Sequence, residues 1–299
     1  MSGPRRSGRQ QQQGIVLVVV LWLVALLSLM AVSQTAAVRT ETLIVGNLVE
    51  SATARAAAYA GLQRAVAELA KPLQAREMSS DGALYQLRFG SAQLLVSITD
   101  ESGKVDLNAA PGTLFDALLQ DVVEDEGRRE ALVAALLDWR DRDKLRRING
   151  AEEEDYRLAG LEYGPRNGPF QSLEELALVI GFDAPLYHAI ADNLTIYSGS
   201  ATINASVAPQ EVLQAIDGAA EAEEEVPPMS EEPPDVAVPY RRTTSGGSVY
   251  SIYAEAQLES GVRERLEAVV RLVPPRANAP ARYEFLRWRE GVASRSEER

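Results

Sequence analysis

Apolar and polar positions divide the chain into one long stretch that turns from wholly apolar to amphipathic, two hairpin-like pairs of segments, and a helical middle. From Ile15 to Val32, 17 of 18 residues are apolar, with only Ser28 interrupting. As a helix this run would extend roughly 27 Å, close to the hydrocarbon thickness of a bilayer. Beyond it, Val45, Leu48, Val49, Ala52, Ala56, Tyr59, Leu62, Val66 and Leu69 recur three and four apart, as on one stripe of a helix. No proline falls between Ile15 and Lys71, and Pro72 supplies a stop. The pattern predicts one continuous helix of about 56 residues, roughly 84 Å long, with its first half suited to lipid and its second to the surface of a folded domain.

The segments LYQLRF (84–89) and AQLLVSIT (92–99), joined by Gly90-Ser91, read as a hairpin. A second hairpin is predicted from 248–259 and 265–273 around Ser260-Gly261, with Leu266, Ala268, Val270 and Leu272 on one face. These four strands would form an antiparallel sheet covered by the long helix, an α+β arrangement. Between the hairpins, apolar residues three and four apart at 114–123, 129–140, 172–180 and 184–194 predict a large inserted all-helical domain. Ser172 ahead of Glu175 has the spacing of a capping box, and Pro185 suits a first helical turn. Leu107-Asn108-Ala109-Ala110-Pro111 and 203–209, which also ends in Ala208-Pro209, read as strand-to-helix turns at the two borders of the insertion.

Residues 219–239 hold seven acids, no bases and five prolines, a composition expected of a solvated linker. After Pro274, Tyr283, Phe285, Leu286 and Trp288 suit a short docked helix. The expected organisation is a leader at 1–14, a membrane half (15–35) and a soluble half (36–72) of the long helix, and a sheet domain at 73–108 and 200–299. The helical insertion occupies 109–199.

Composition narrows the chemistry. With no cysteine and one histidine among 299 residues, Cys/His zinc sites, iron–sulfur clusters and thiol catalysis are excluded. A net charge of -13 argues against a nucleic-acid surface, since phosphate binding needs clustered Lys and Arg. The charge is uneven: 1–14 carry Arg5, Arg6 and Arg9 and no acid, which by the positive-inside bias leaves this end in the cytoplasm and the remainder on the far side. The densest polar group is Asp138, Asp141 and Asp143, interleaved with Arg140 and Arg142 and followed by Glu152, Glu153, Glu154 and Asp155. Carboxylates without His or Cys suit a hard cation such as Ca²⁺. Counted from Asp141, the EF-hand spacing places Asp143 and Glu152 correctly but fails at Leu145 and at Arg146, where glycine is required. A solvated loop paired with Arg140, Arg142, Arg146 and Arg147 is the alternative reading of the same residues. A glycosidase pair is disfavoured in a chain with only 6% aromatics. His188 reads as a half-buried packing residue. The segment 172–190 has the outline of a helix-hairpin-helix, but Asp183 in its turn and the lack of Lys or Arg between Arg166 and Asn193 would repel an anion, so packing is its expected role.

The junction Gln13-Gly14-Ile15, where a basic leader meets the apolar run, resembles the leader of type IV prepilins and pseudopilins. Beyond it come Asp100 to Asn108, Asp138-Trp139-x-Asp141-x-Asp143, Gly150-Ala151-Glu152 through Tyr156, Ser172-Leu173-x-Glu175-Leu176 with Gly181, Thr202-Ile203-Asn204 and Ala208-Pro209. In this order they are similar to the K-type minor pseudopilins of the type II secretion system. The resemblance implies a pilin-like fold with a helical insertion and no enzymatic activity. It implies cleavage by prepilin peptidase after Gly14, with methylation of Ile15, and a single-pass inner-membrane anchor with the remainder in the periplasm. It also implies I-type and J-type minor pseudopilins as partners at the pseudopilus tip, contact with inner-membrane lipid and with secreted exoproteins, and bound Ca²⁺, carried onto Asp138, Asp141, Asp143, Glu152 and Asp155. Val19 stands at the fifth mature position, where most pilins have Glu, and the K-type family is similar in lacking it. The rival readings are a signal-anchored periplasmic enzyme or binding module using the acidic cluster, and a DNA-uptake pilin, for which a basic tip would be expected.

Overall fold

The computed structural model describes residues 12–224, 247–273 and 282–291. The predicted leader up to residue 11 and the predicted linker from 225 onward lie outside the described residues. The first element, α1, runs unbroken over Gln12–Leu69, so Gly14 and Ile15 fall in its opening turn. Described side chains from Val16 to Met30 are all exposed, although among the described residues no helix is long and apolar enough to cross a membrane. At the other end Arg76 donates to the carbonyls of Leu69 and Lys71, and Pro72 carries the chain out of the helix.

The buried face of α1 differs from the predicted stripe. Leu62, Val66 and Leu69 are buried as expected, but Val45, Leu48, Val49 and Tyr59 are exposed and Ala54, Ala57, Ala58 and Ala65 take the inner positions. The reason is close approach. A Cβ at Gly61 would stand 3.1 Å from Val96 Cγ2 and 3.6 Å from Ala254 Cβ, so only small side chains fit where this helix crosses the sheet. A stripe ranked by side-chain size misses such a face.

The sheet has five antiparallel strands in the order β1-β2-β5-β6-β7. β1 is Asp81–Phe89, β2 Ala92–Asp100, β5 Val249–Gln257, β6 Arg263–Val273 and β7 Arg282–Gly291. Leu94, Val96, Ile98, Tyr250, Ile252, Ala254, Leu266, Ala268 and Val270 form the layer beneath α1. Both predicted hairpins are present, but β7 replaces the predicted short helix. In its register Phe285 lies opposite Val270 and Arg287 opposite Val269, leaving Leu286 as an extra residue in a bulge. That extra residue breaks the two-residue period, so the aromatics at 285 and 288 acquire a helix-like spacing of three. Trp288 reaches Tyr59 of α1, with ring centroids 5.9 Å apart.

The chain between β2 and β5 builds a second core. Its helices are α2 (Gly112–Gln120), α3 (Glu126–Arg140), α4 (Glu153–Leu158), α5 (Ala184–Ile190) and α6 (Gln210–Glu224), with a 3-10 turn at Leu173–Leu178. Leu114, Leu118, Leu132, Leu136, Trp139, Tyr156, Leu176 and Ile203 are buried together, and Val212 and Ile216 of α6 join them. This region is not purely helical: β3 (Val105–Asp106) and β4 (Leu194–Thr195) pair in parallel at its base. The turn after β3 does lead into α2 as predicted, whereas 203–209 precedes α6 without a strand. Ser172 makes no side-chain cap, and the Glu175 carboxylate accepts instead from Arg166 and the Gln171 N–H. α6 also extends through residues 219–224 of the predicted linker.

Candidate functional site

Several buried acids serve the junction between the helical region and the sheet. Glu101 is buried and accepts from Ser251 Oγ at 2.6 Å and from the Thr195 hydroxyl, with Lys104 Nζ at 3.1 Å. Asp106, fully buried, accepts from the N–H groups of Asn108 and Ala109 and from Ser198 Oγ and the Gly199 N–H. The Asn108 side chain exchanges two hydrogen bonds with the Phe170 backbone, at 2.7 and 3.0 Å. Arg140, expected in the charged loop, turns away from it and donates to the carbonyls of Leu107 and Ala110 at 2.6 and 2.7 Å. These groups have the polar partners that burial requires. The sequence marked the segment 100–108 but gave no sign that its acids bond across the fold.

The acidic cluster gathers where α3 ends. Asp138 lies in its last turn, fully buried, and Asp141 is its C-cap. A carboxylate there faces the negative end of the helix dipole and calls for a cation. In the structure that cation is Arg147. Its Nη1 donates to Asp138 Oδ1 at 2.6 Å and also to Asp141, while the Arg147 backbone N–H reaches Asp138 Oδ2 at 3.2 Å. Gly150 closes the loop against this pair: a Cβ on it would lie 2.1 Å from Asp138 Oδ2.

Glu152, buried, stands at the start of α4 in a capping box with Asp155, its carboxylate beside the first-turn N–H groups, but among the described residues neither of its oxygens makes a regular hydrogen bond. Asp141 Oδ1 is also buried without one. Burial, and then the charges of Asp138, Asp141 and Asp143, push the Glu152 carboxyl above its ordinary range. Asp143 accepts the Leu145 N–H at 2.8 Å in the exposed loop. Asp155 is engaged otherwise, accepting the Glu152 N–H at 2.9 Å and a bond from Arg146 at 2.8 Å, which together hold its carboxyl below the usual range. The structure thus joins Asp138 and Asp141 through one guanidinium, leaves Glu152 within reach of the charges of Asp138, Asp141 and Asp143, and turns Asp155 to capping α4.

Among the described residues no group of three acids is gathered as a ready cation cage. The chemistry of the set nevertheless fits a hard divalent ion. Two carboxylates, Asp138 and Asp141, share one guanidinium, Glu152 is close enough to feel their charges, and three buried oxygens, Asp141 Oδ1 and both of Glu152, make no regular hydrogen bond among the described residues. Oxygen-only ligands of this kind suit Ca²⁺, and orphaned buried carboxylate oxygens are costly without a cation.

The other two sequence features are structural. His188 is exposed rather than half-buried, its ring against Tyr187 at 5.3 Å. In the helix-hairpin-helix-like turn, Gly181 adopts φ 89°, Phe182 enters the core and Asp183 caps α5 by accepting the Leu186 N–H at 2.9 Å.

Comparison with known proteins agrees with this architecture. Residues 92–199, which contain the acidic cluster, match the family model for type II secretion system (T2SS), protein K. The chain is 30% identical over 203 residues to the type II secretion system protein K of Klebsiella pneumoniae, covering 60% of this chain and 61% of that one. It is 34% identical over 80 residues to protein K of Pectobacterium carotovorum subsp. carotovorum, covering 27% of this chain and 24% of that one. It therefore spans less than two thirds of the length of the curated relatives it matches. In three dimensions it is similar to a chain of the GspK-GspI-GspJ complex from the enterotoxigenic Escherichia coli type 2 secretion system, with a TM-score of 0.56 and 16% identity over 85% of this chain and 99% of that one, a likeness of fold. With a long helix on an antiparallel sheet, a helical region grown between β2 and β5, and the match over 92–199, the chain is similar in sequence and fold to the protein K family of the type II secretion system, the K-type minor pseudopilins.

Proposed function

We propose that the protein works at the tip of a pseudopilus, where it starts assembly together with I-type and J-type minor pseudopilins and so serves the export of folded proteins from the periplasm. The observation that carries this reading is the likeness of fold, over nearly the whole of the compared chain, to a subunit of a complex in which K, I and J proteins occur together. The role is one of assembly, not catalysis. The apolar run from Ile15 to Val32, continuous with the helix that lies on the sheet, serves as the inner-membrane anchor, and the sheet and helical region stand in the periplasm. Val19 in that run supports a terminal position, since a carboxylate there would need a neighbouring subunit to offset its cost in lipid.

Maturation on this reading is cleavage by prepilin peptidase between Gly14 and Ile15, with methylation of the new amino terminus. The acidic cluster holds Ca²⁺ through Asp138, Asp141 and Glu152, with Asp143 and Asp155 as outer candidates. The bound ion would neutralise the carboxylates and fix the loop after α3 against α4. Intact-mass measurement of the protein from its native membrane tests the route. A mass beginning at Ile15 that depends on the peptidase is expected. A chain left uncut in the presence of the peptidase would instead favour a signal-anchored periplasmic enzyme or binding module using the acidic cluster.

A further inference from the structure

We propose that Arg147 is a built-in counter-cation for the acidic cluster, and that a divalent ion enters by displacing its guanidinium from Asp138 and Asp141. The proposal rests on the reading of the cluster as a cation site and adds the residue with which the ion must compete. A single nitrogen, Nη1, serves both Asp138 and Asp141. That is how a point charge bridges two ligands, whereas guanidinium usually offers two nitrogens to one carboxylate. The arrangement neutralises only part of the site, because one guanidinium is shared by Asp138 and Asp141, while Asp141 Oδ1 and the nearby Glu152 carboxylate make no regular hydrogen bond among the described residues.

Displacement is structurally inexpensive. The Arg147 side chain is 42% exposed while the Asp138 side chain is fully buried, so the guanidinium has a path to water that the carboxylate lacks. Its backbone N–H stays bonded to Asp138 Oδ2, and Gly150 keeps the loop against the same oxygen, so the side chain can leave while the loop stays in place. The loop carries no packed apolar anchor that would resist the change: Leu145 and Ile148 are both exposed.

Calcium titration of the full chain in detergent by calorimetry, with thermal midpoints in chelator and in saturating Ca²⁺, tests the exchange. Arg147→Gln is expected to bind Ca²⁺ about tenfold more tightly, because the competing state is removed. Its midpoint should fall below wild type in chelator, and the deficit should close in calcium. Arg147→Lys, which keeps the charge but reaches less far, should bind with intermediate affinity and serves if the glutamine variant does not fold. Wild-type affinity in both variants, or a stability loss equal in chelator and calcium, would overturn the exchange while leaving the cation site standing. Absence of calcium binding in wild type and both variants would overturn the site and the exchange together.

Discussion

Glu101 and Ser251 lie 150 positions apart in the chain and share a 2.6 Å hydrogen bond that fastens the start of the helical region to the middle strand of the sheet. The same carboxylate accepts from Thr195 at the other border of that region and is paired with Lys104. One buried acid therefore holds the ingoing segment, the outgoing segment and the sheet. Glu101→Ala is expected to lower unfolding stability by about 3 kcal/mol, since three donors lose a buried acceptor. Chemical denaturation checks this, and a loss near zero would show that the junction is held by packing alone.

A second tie runs from the helical region to the edge strand. Glu174 accepts from Arg287 and Arg289, each at 3.0 Å. Burial pushes its carboxyl up, but its own backbone N–H, Ser172 and the two arginines outweigh this and hold it at about 2. A depressed folded value gives stability that is present above the unfolded carboxylate range and lost as pH falls toward 2. Because Glu174 and Arg289 are about half exposed, solvent screening limits the gain to below about 1 kcal/mol. Glu174→Gln should unfold at a lower temperature than wild type near pH 7, and the two curves should meet as pH approaches 2.

The acidic cluster predicts a change of sign. In chelator Glu152 is a buried carboxylate with no regular hydrogen bond among the described residues and with Asp138, Asp141 and Asp143 nearby, so Glu152→Gln should raise the thermal midpoint by the equivalent of about 1 kcal/mol. In saturating calcium the same substitution removes a ligand and should lower the midpoint relative to wild type. Scanning calorimetry under both conditions decides, and a shift of the same sign in both would contradict the cation assignment.

At the bulged edge, Trp288 contacts Tyr59 and lies at 5.2 Å from Phe285, while Arg55 pairs with Glu290 at 3.5 Å. Trp288→Ala should loosen β7 from α1 at a cost of about 1–2 kcal/mol. Hydrogen exchange should quicken at β7 amides while β2 and β5 keep their protection. Unchanged exchange at β7 would mean that the ladder to β6 alone secures it.

The hairpins and the helices α2 and α3 were legible because each keeps a single period, and the extent of the long helix was legible because no proline interrupts it from Ile15 to Lys71. The inner face of α1 was hidden because it is built from Ala54, Ala57, Ala58 and Gly61, which carry little hydrophobic signal yet set the distance to Val96. β7 was hidden because Leu286 occupies a bulge and shifts the period in mid-strand. The types of Asp138, Asp141 and Glu152 suit a hard cation, but their spacing alone left a solvated loop open, and it is the family resemblance that singled them out. Their burial, the turn of Arg140 toward Leu107 and the bridging by Arg147 depend on contacts that only the folded chain brings together.

The most direct test of the tip-assembly reading is co-expression of the full chain with I-type and J-type minor pseudopilins, followed by affinity capture of this chain and native mass spectrometry. One complex containing all three proteins is expected. An I–J pair that forms without this chain, and leaves it alone after capture, would contradict that role.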